Sequence, residues 1–197
     1  MKFNPFSENK IPSVSMFSKE RKKQVRATTE FVEDLEEKFG TKEYLGVKMD
    51  PETLAFFKQL VSQIGEGDVR SIIENFPTQF DDAGRLRELF CNNQPIISLP
   101  KLPSGLKKIT CLYTQIASLP ELPPGLTELY CDHAKIALLP TLPDGLTVLH
   151  CSDNPITSLP ELPTGLKMLI LIGTPISKDQ DFMDKLIKDH PSVEITY

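Results

Sequence analysis

Asp132, His133, His150, Ser152 and Asp153 bring carboxylates, imidazoles and a hydroxyl into one short stretch of the chain. A serine, an imidazole and a carboxylate in line can relay a proton to make a nucleophile, and histidines with aspartates can hold a metal. Four cysteines, Cys91, Cys111, Cys131 and Cys151, are a second reactive set, suited in principle to nucleophilic attack, disulfide formation or zinc binding. Their spacing argues against all three. Twenty residues separate each from the next, and on parallel strands that period gives a row of parallel side chains about 4.8 Å apart rather than ligands converging on a point. Position 171 continues the row with leucine, which a packing position permits and a chemical one does not. The thiols are therefore expected to behave as small buried hydrophobes.

The elements that must position these groups are written in four copies of one phrase: SLPKLPSGLKKITC, SLPELPPGLTELYC, LLPTLPDGLTVLHC and SLPELPTGLKMLIL. Units this short cannot enclose a core, so each must lay its apolar edge on the next and form a stacked solenoid. Ile96, Ile116, Ile136, Ile156 and Ile176 form one column, Leu99, Leu119, Leu139 and Leu159 a second, and Gly105, Gly125, Gly145 and Gly165 a third. Read from Leu106, one unit runs Leu106, Ile109, Cys111, Thr114 and Ile116, and its positions one, four, six and eleven, Leu106, Ile109, Cys111 and Ile116, are directed inward. Alternation around Ile109 and Cys111 predicts a short strand whose Lys108, Thr110 and Leu112 point outward. The two prolines in Leu119-Pro120-Glu121-Leu122-Pro123 remove backbone donors and fix φ, so the far side of each unit is expected to be an extended, proline-rich wall without a helix. The glycine column suits the sharp turn into the next strand, where a left-handed backbone would be accommodated.

These phrases resemble the LPX subtype of bacterial leucine-rich repeats, over roughly Leu86 to Ile176. They are similar to the repeat domains of IpaH- and YopM-type effectors, which pathogenic bacteria deliver into host cells. The resemblance implies an α/β leucine-rich-repeat solenoid with short parallel strands on its concave side. It also implies a protein exported by a dedicated secretion system and acting in the host cytoplasm as a virulence factor. The ubiquitin-ligase members carry a large catalytic domain with a nucleophilic cysteine after their repeats; the sequence has no counterpart up to Tyr197, and that activity is not expected. At the ninth repeat position the usual asparagine occurs at Asn154, whereas Gln94, Thr114, Ala134 and Thr174 replace it elsewhere, so the asparagine ladder is largely missing.

The expected organisation is a flexible segment over 1–18, a helical cap over 19–80, repeats over 81–177 and a terminal cap over 178–197. Val25, Val32, Leu35 and Phe39 predict one helix over about 19–39, with the basic residues Arg21, Lys22, Lys23 and Arg26 near its start. Asp50-Pro51 predicts the cap and first turn of a second, running through Leu54, Phe57, Val61 and Ile64 to Gly65. Val69, Ile72, Ile73 and Phe76 suggest a third, ended by Pro77. An open solenoid needs its first apolar edge covered, so capping is their expected role, with a second binding surface as the alternative. At the other end, Phe182, Leu186 and Ile187 fit a short helix, with Asp179 and Asp181 at its start, and Val193 and Ile195 a last strand.

The formal charge of −5 over 197 residues argues against a nucleic-acid or anionic-membrane binder, and no apolar run approaches the roughly 20 residues of a membrane span. The opening MKFNPFSENKIPSVSMFSKE lacks the apolar centre of a secretory signal peptide. Function is then expected on the outward strand face. Phe90, Lys108, Leu112 and Tyr113 lie on its first strands, Glu128, Tyr130, Asp132 and His133 on the next, and Val148, His150, Asp153, Met168 and Ile170 on the last. Aromatic, methionine and aliphatic side chains left in water on a sheet mark a protein interface, unless the C-terminal segment folds over Met168 to Ile172 and hides them. Nothing in the pattern encloses Asp132, His133, His150, Ser152 and Asp153, so a polar contact ring is favoured over catalysis, which needs a water-excluding site.

The sequence thus reads as a non-enzymatic binding protein, monomeric alone, without cofactor or metal, whose partner is a host protein or another effector. Where that partner is an enzyme, covering its active site would inhibit it. Two alternatives stand beside this: an adaptor whose N-terminal helices recruit a host complex such as a ubiquitin ligase, and a carboxylate-based enzyme in the helical region. No histidine precedes His133 and no cysteine precedes Cys91 to support the latter.

Overall fold

In the computed structural model, residues 49–64 and 78–197 are described, together with every strand of the repeat array. The expected helices over 19–39 and 69–76, the basic cluster of Arg21 to Arg26 and the segment 1–18 lie outside them.

A single seven-stranded sheet runs in chain order from β1 (Gln79–Phe80) and β2 (Leu86–Phe90) through β3 (Lys108–Thr110), β4 (Glu128–Tyr130), β5 (Val148–His150) and β6 (Met168–Ile170) to β7 (Glu194–Thr196). The pairs from β2 to β6 are parallel and in register at twenty residues: Leu89, Ile109, Leu129, Leu149 and Leu169 stand side by side. All five are fully buried, as are the four cysteines, Leu171 in the same column, and Ile96, Ile116, Ile136 and Ile156. Each buried aliphatic side chain contributes roughly 1.5–3 kcal/mol. In the proline wall Leu102, Leu122, Leu142 and Leu162 are buried, while Leu139 and Leu159 are only partly so. No helix forms there, because prolines withhold the donors a helix requires.

The glycine column does not turn left-handed. Leu106, Leu126, Leu146 and Leu166 each donate their N–H to the carbonyl three residues back, closing turns over Pro103, Pro123, Pro143 and Pro163. The glycines within them keep negative φ, which rules out the turn type that demands glycine there. The left-handed residues form a different column: Asn93, Tyr113, His133 and Asp153, at φ 54–58°, and Gly173 at 73°. That conformation lets the chain leave the sheet while the backbone ladder continues, since Asn93, Tyr113, His133 and Asp153 each donate N–H to a carbonyl of the next coil. Asparagine, aspartate and glycine tolerate it well; tyrosine and histidine adopt it at a cost of about 1–2 kcal/mol each.

The first edge is closed by helix α1 (Pro51–Ile64). Asp50 caps it, Oδ1 accepting from the N–H groups of Glu52 and Thr53, and Pro51 fits the first turn, where no N–H is needed. Its buried face is Thr53, Phe56, Phe57, Leu60 and Val61. Of the expected Leu54, Phe57, Val61 and Ile64, Phe57 and Val61 are buried and Leu54 is only partly covered, with Phe56 and Leu60 joining the buried face. A hairpin absent from the sequence reading pairs β1 antiparallel to β2 around Gly84 at φ 73°. Asp81 organises this turn. Its carboxylate accepts from the N–H groups of Ala83 and Arg85 and from the guanidiniums of Arg85 and Arg87. Thr53 Oγ1 accepts from the N–H of Leu86 at 2.9 Å and joins α1 to the sheet.

At the far end a 3-10 turn (Ile176–Lys178) leads into α2 (Gln180–Asp189), whose cap residue Asp179 accepts from the N–H of Phe182. Met183 and Leu186 face the core, whereas Ile187, expected inside, is 40% exposed. The strand β7 then extends the sheet beside β6. It lies edge to edge with Met168–Ile170 instead of folding over them.

Candidate functional site

Register places the outward strand residues in two rows. One runs Glu88, Lys108, Glu128, Val148, Met168 and Glu194; the other runs Phe90, Thr110, Tyr130, His150, Ile170 and Thr196. Beyond the strands Leu112 and Asp132 are half-buried, while Tyr113, His133 and Asp153 are exposed on the left-handed turns. All thirteen residues singled out in the sequence therefore lie on one face of the sheet or on its adjoining turns. Thr110 departs from the expected pattern: it is 7% exposed, because the larger side chains of Phe90 and Tyr130 flank it on both neighbouring strands.

The face is internally ordered. Lys108 Nζ lies 2.9 Å from Glu128 Oε2, and the Tyr130 hydroxyl donates to the same carboxylate oxygen at 3.1 Å. The bond to Glu128 raises the lysine pKa, and the lysine in turn holds the Glu128 carboxyl below its ordinary range. Burial and the neighbouring carboxylate push the Tyr130 phenol up. His150 meets the Tyr130 ring edge to face at 4.7 Å between centroids, and its Nε2 sits 3.3 Å from Met168 Sδ. On the turns Tyr113 and His133 stack at 4.3 Å, nearly parallel, with His133 Nε2 3.4 Å from Asp153 Oδ2.

The residues that suggested catalysis are placed otherwise. Asp132 Oδ1 accepts from the backbone N–H of Ser152, a bond between coils, and Oδ2 is 4.0 Å from His150 Nδ1. Among the described residues no hydrogen bond joins the Ser152 hydroxyl to either imidazole, so serine, histidine and aspartate are not in line. Nor, among the described residues, does any group of three or more His, Cys, Asp or Glu side chains converge as metal ligands. The cysteines face the core, where burial pushes their thiols up, Cys111 and Cys151 to about 12. Each thiol points at a carbonyl of the following coil, Cys131 to His150 at 3.3 Å.

Two features of this site escaped the sequence reading. The left-handed column was signalled by Asn93, Asp153 and Gly173, residue types that accept that conformation, recurring at one position. The ion pair of Lys108 with Glu128 follows from opposite charges twenty residues apart in a chain whose strands pair at that interval. Asn154, the one asparagine of the ninth column, is buried and links coils by donating to the carbonyls of Cys131, Cys151 and Ser152 and accepting from the N–H of Ile136. Thr114 and Thr174 substitute by bonding back within their own coils, to Cys111 and Leu171.

Parallel strands in register every twenty residues, over inward ladders of leucine, isoleucine and cysteine, decide the architecture. The chain is a leucine-rich-repeat solenoid. No protein-family model and no curated protein matches it. Among solved structures it is similar to YopM from Yersinia enterocolitica, at 35% identity over 45% of this chain and 20% of that one, with a TM-score of 0.45. A leucine-rich effector, YopM from Yersinia pestis, matches at 25% identity over 75% of this chain and 36% of its own, TM-score 0.45. A Shigella effector leucine-rich-repeat domain matches at 19% identity over 89% of this chain and 96% of its own, TM-score 0.45. The repeat chain thus spans 20% and 36% of the two YopM chains.

Proposed function

We propose that this repeat solenoid is a non-enzymatic bacterial effector that grips another protein with the open face of its sheet. The supporting observation is the run of Tyr130, His150 and Ile170, with Phe90 beyond the small Thr110 and Val148 and Met168 in the adjoining row, all half-buried on a continuous sheet and held in place by neighbours. Pre-ordered side chains lose little freedom on association, so more of the contact energy is realised as affinity. Tyr113 and His133 strengthen the reading. Their backbones hold a strained conformation while their rings stand 56% exposed for Tyr113 and outward for His133, an arrangement that packing of the core does not require.

Delivery into a host cell by a dedicated secretion machine rests on the LPX phrases themselves. The partner is a host protein or a sister effector, and where it is an enzyme the sheet acts by covering the active site. Replacing Tyr130 and His150 together with glutamate should remove partner binding while leaving the fold intact, since both side chains lie on the outer face; unchanged binding would place the interface elsewhere.

A further inference from the structure

Thr110 is small where its row neighbours Phe90, Tyr130 and His150 are large. Rings on the two flanking strands stand about two strand spacings, roughly 9.6 Å, apart and leave a slot above it. The Thr110 hydroxyl is buried at the floor with no hydrogen-bond partner among the described residues. Lys108 fills the slot from the neighbouring row. Its ammonium lies 5.9 Å from the centre of the Phe90 ring and 5.1 Å from that of Tyr130, with the Glu128 carboxylate forming a third wall.

Charge is unbalanced here. Glu88 precedes Lys108 in the same row and attracts the same ammonium, yet among the described residues no cation lies at ion-pair distance from Glu88. Two carboxylates therefore share one lysine. A second cation would satisfy both, one carboxylate each.

On the reading that this face binds protein, we infer that Phe90, Tyr130 and Glu128 form a cage for a lysine or arginine side chain of the partner, with Lys108 as the resident occupant that the incoming cation displaces toward Glu88. Ring faces attract cations through their quadrupole, and a carboxylate beside them selects charge over mere bulk. Exchange of one cation for another leaves Glu128 paired throughout. An uncharged partner side chain would instead break the Lys108–Glu128 bridge without replacing it.

The test uses small probes and no partner, so its failure leaves the protein-binding reading standing. Lys108→Met removes the resident charge while preserving length and apolar contact. The full chain, isotope-labelled, is titrated with N-acetyl-arginine amide and, as the uncharged control, N-acetyl-glutamine amide at constant ionic strength. The arginine probe should shift the Phe90 and Tyr130 ring resonances saturably in Lys108→Met, at least about threefold more tightly than in the unaltered chain, as loss of a competing cation at an exposed ring site predicts. Adding Glu128→Gln should abolish the effect. In the unaltered chain the Lys108 side-chain resonances must move together with those of Tyr130. Ring shifts no larger with arginine than with glutamine, shifts surviving Glu128→Gln, or a stationary Lys108 would overturn the proposal. Lys108→Ala carries the same readout if the methionine variant does not fold.

Discussion

Cys91, Cys111, Cys131 and Cys151 are inert because of where the strand sends them. Each lies inside the coil beneath a backbone carbonyl, and burial pushes the thiols up, Cys111 and Cys151 to about 12 with the Asp132 carboxylate adding to the effect. A thiol reagent at pH 8 should therefore leave the folded chain unmodified and label all four cysteines once denaturant unfolds it; prompt labelling under native conditions would contradict the inward ladder. Asp81 shows the opposite balance. Burial pushes its carboxyl up, but the N–H of Arg85, the guanidiniums of Arg87 and Arg85 and the N–H of Ala83 outweigh this and bring it to about 2, from an ordinary 3.8. A carboxylate with a lowered folded pKa lends stability that is complete above its unfolded pKa and is lost as the pH falls through the folded one. Stability measured by urea unfolding should thus decline between about pH 4 and pH 2, and Asp81→Asn should flatten that part of the profile while lowering the plateau above it. The inward thiols were legible in the sequence, because a period of twenty fixes which side of the strand they occupy. The Asp81 hub was not, since it depends on two arginines brought together by a hairpin of two-residue β1.

Among the elements, α1 carries the clearest energetic consequence. Phe57 is fully buried and touches Phe56 edge-on at 5.2 Å and Phe80 of the hairpin at 6.3 Å, so it joins helix, hairpin and first coil. Phe57→Ala should cost about 3–5 kcal/mol, the usual range for a buried phenylalanine, whereas Leu54→Ala on the half-covered flank should cost less. Equal losses in chemical denaturation would mean that the helix is docked on the other stripe. Asp50-Pro51 announced where this helix begins, because capping and first-turn chemistry are local. Its buried face was only partly foreseen, since Phe56 and Leu60 are buried where Leu54 is partly covered. The strands were legible from the repeat alone. The glycine column misled because type I turns and left-handed turns both accept glycine, and only the backbone path distinguishes them. At the C-terminus, Met183 rather than Ile187 faces the core because α2 must meet the last coil through its Met183–Leu186 edge.

Among the described residues, the outward strand face is a broad surface where aromatic and aliphatic side chains remain half in water. Its thirteen residues could be placed on one side from the phase of the repeat. What the phase could not show was their mutual order: Lys108 between two rings, Glu128 holding Tyr130, and His150 against Met168. Those contacts bring together residues on different strands, and their geometry depends on rotamers that no spacing rule specifies. Ile97 and Leu138 offer a control, because they are 65% and 64% exposed without belonging to either row. The most direct measurement compares three forms of the chain as baits against host lysate and against the bacterium's secreted proteins, with partners identified by mass spectrometry and each affinity then measured on the purified partner. The unaltered chain and Ile97→Glu with Leu138→Glu should bind the same partner with affinities within about threefold, and Tyr130→Glu with His150→Glu should weaken it by more than about thirtyfold, the loss of a central aromatic anchor at roughly 2 kcal/mol or more. Undiminished binding by the Tyr130 and His150 variant, or loss confined to the Ile97 and Leu138 variant, would contradict the account.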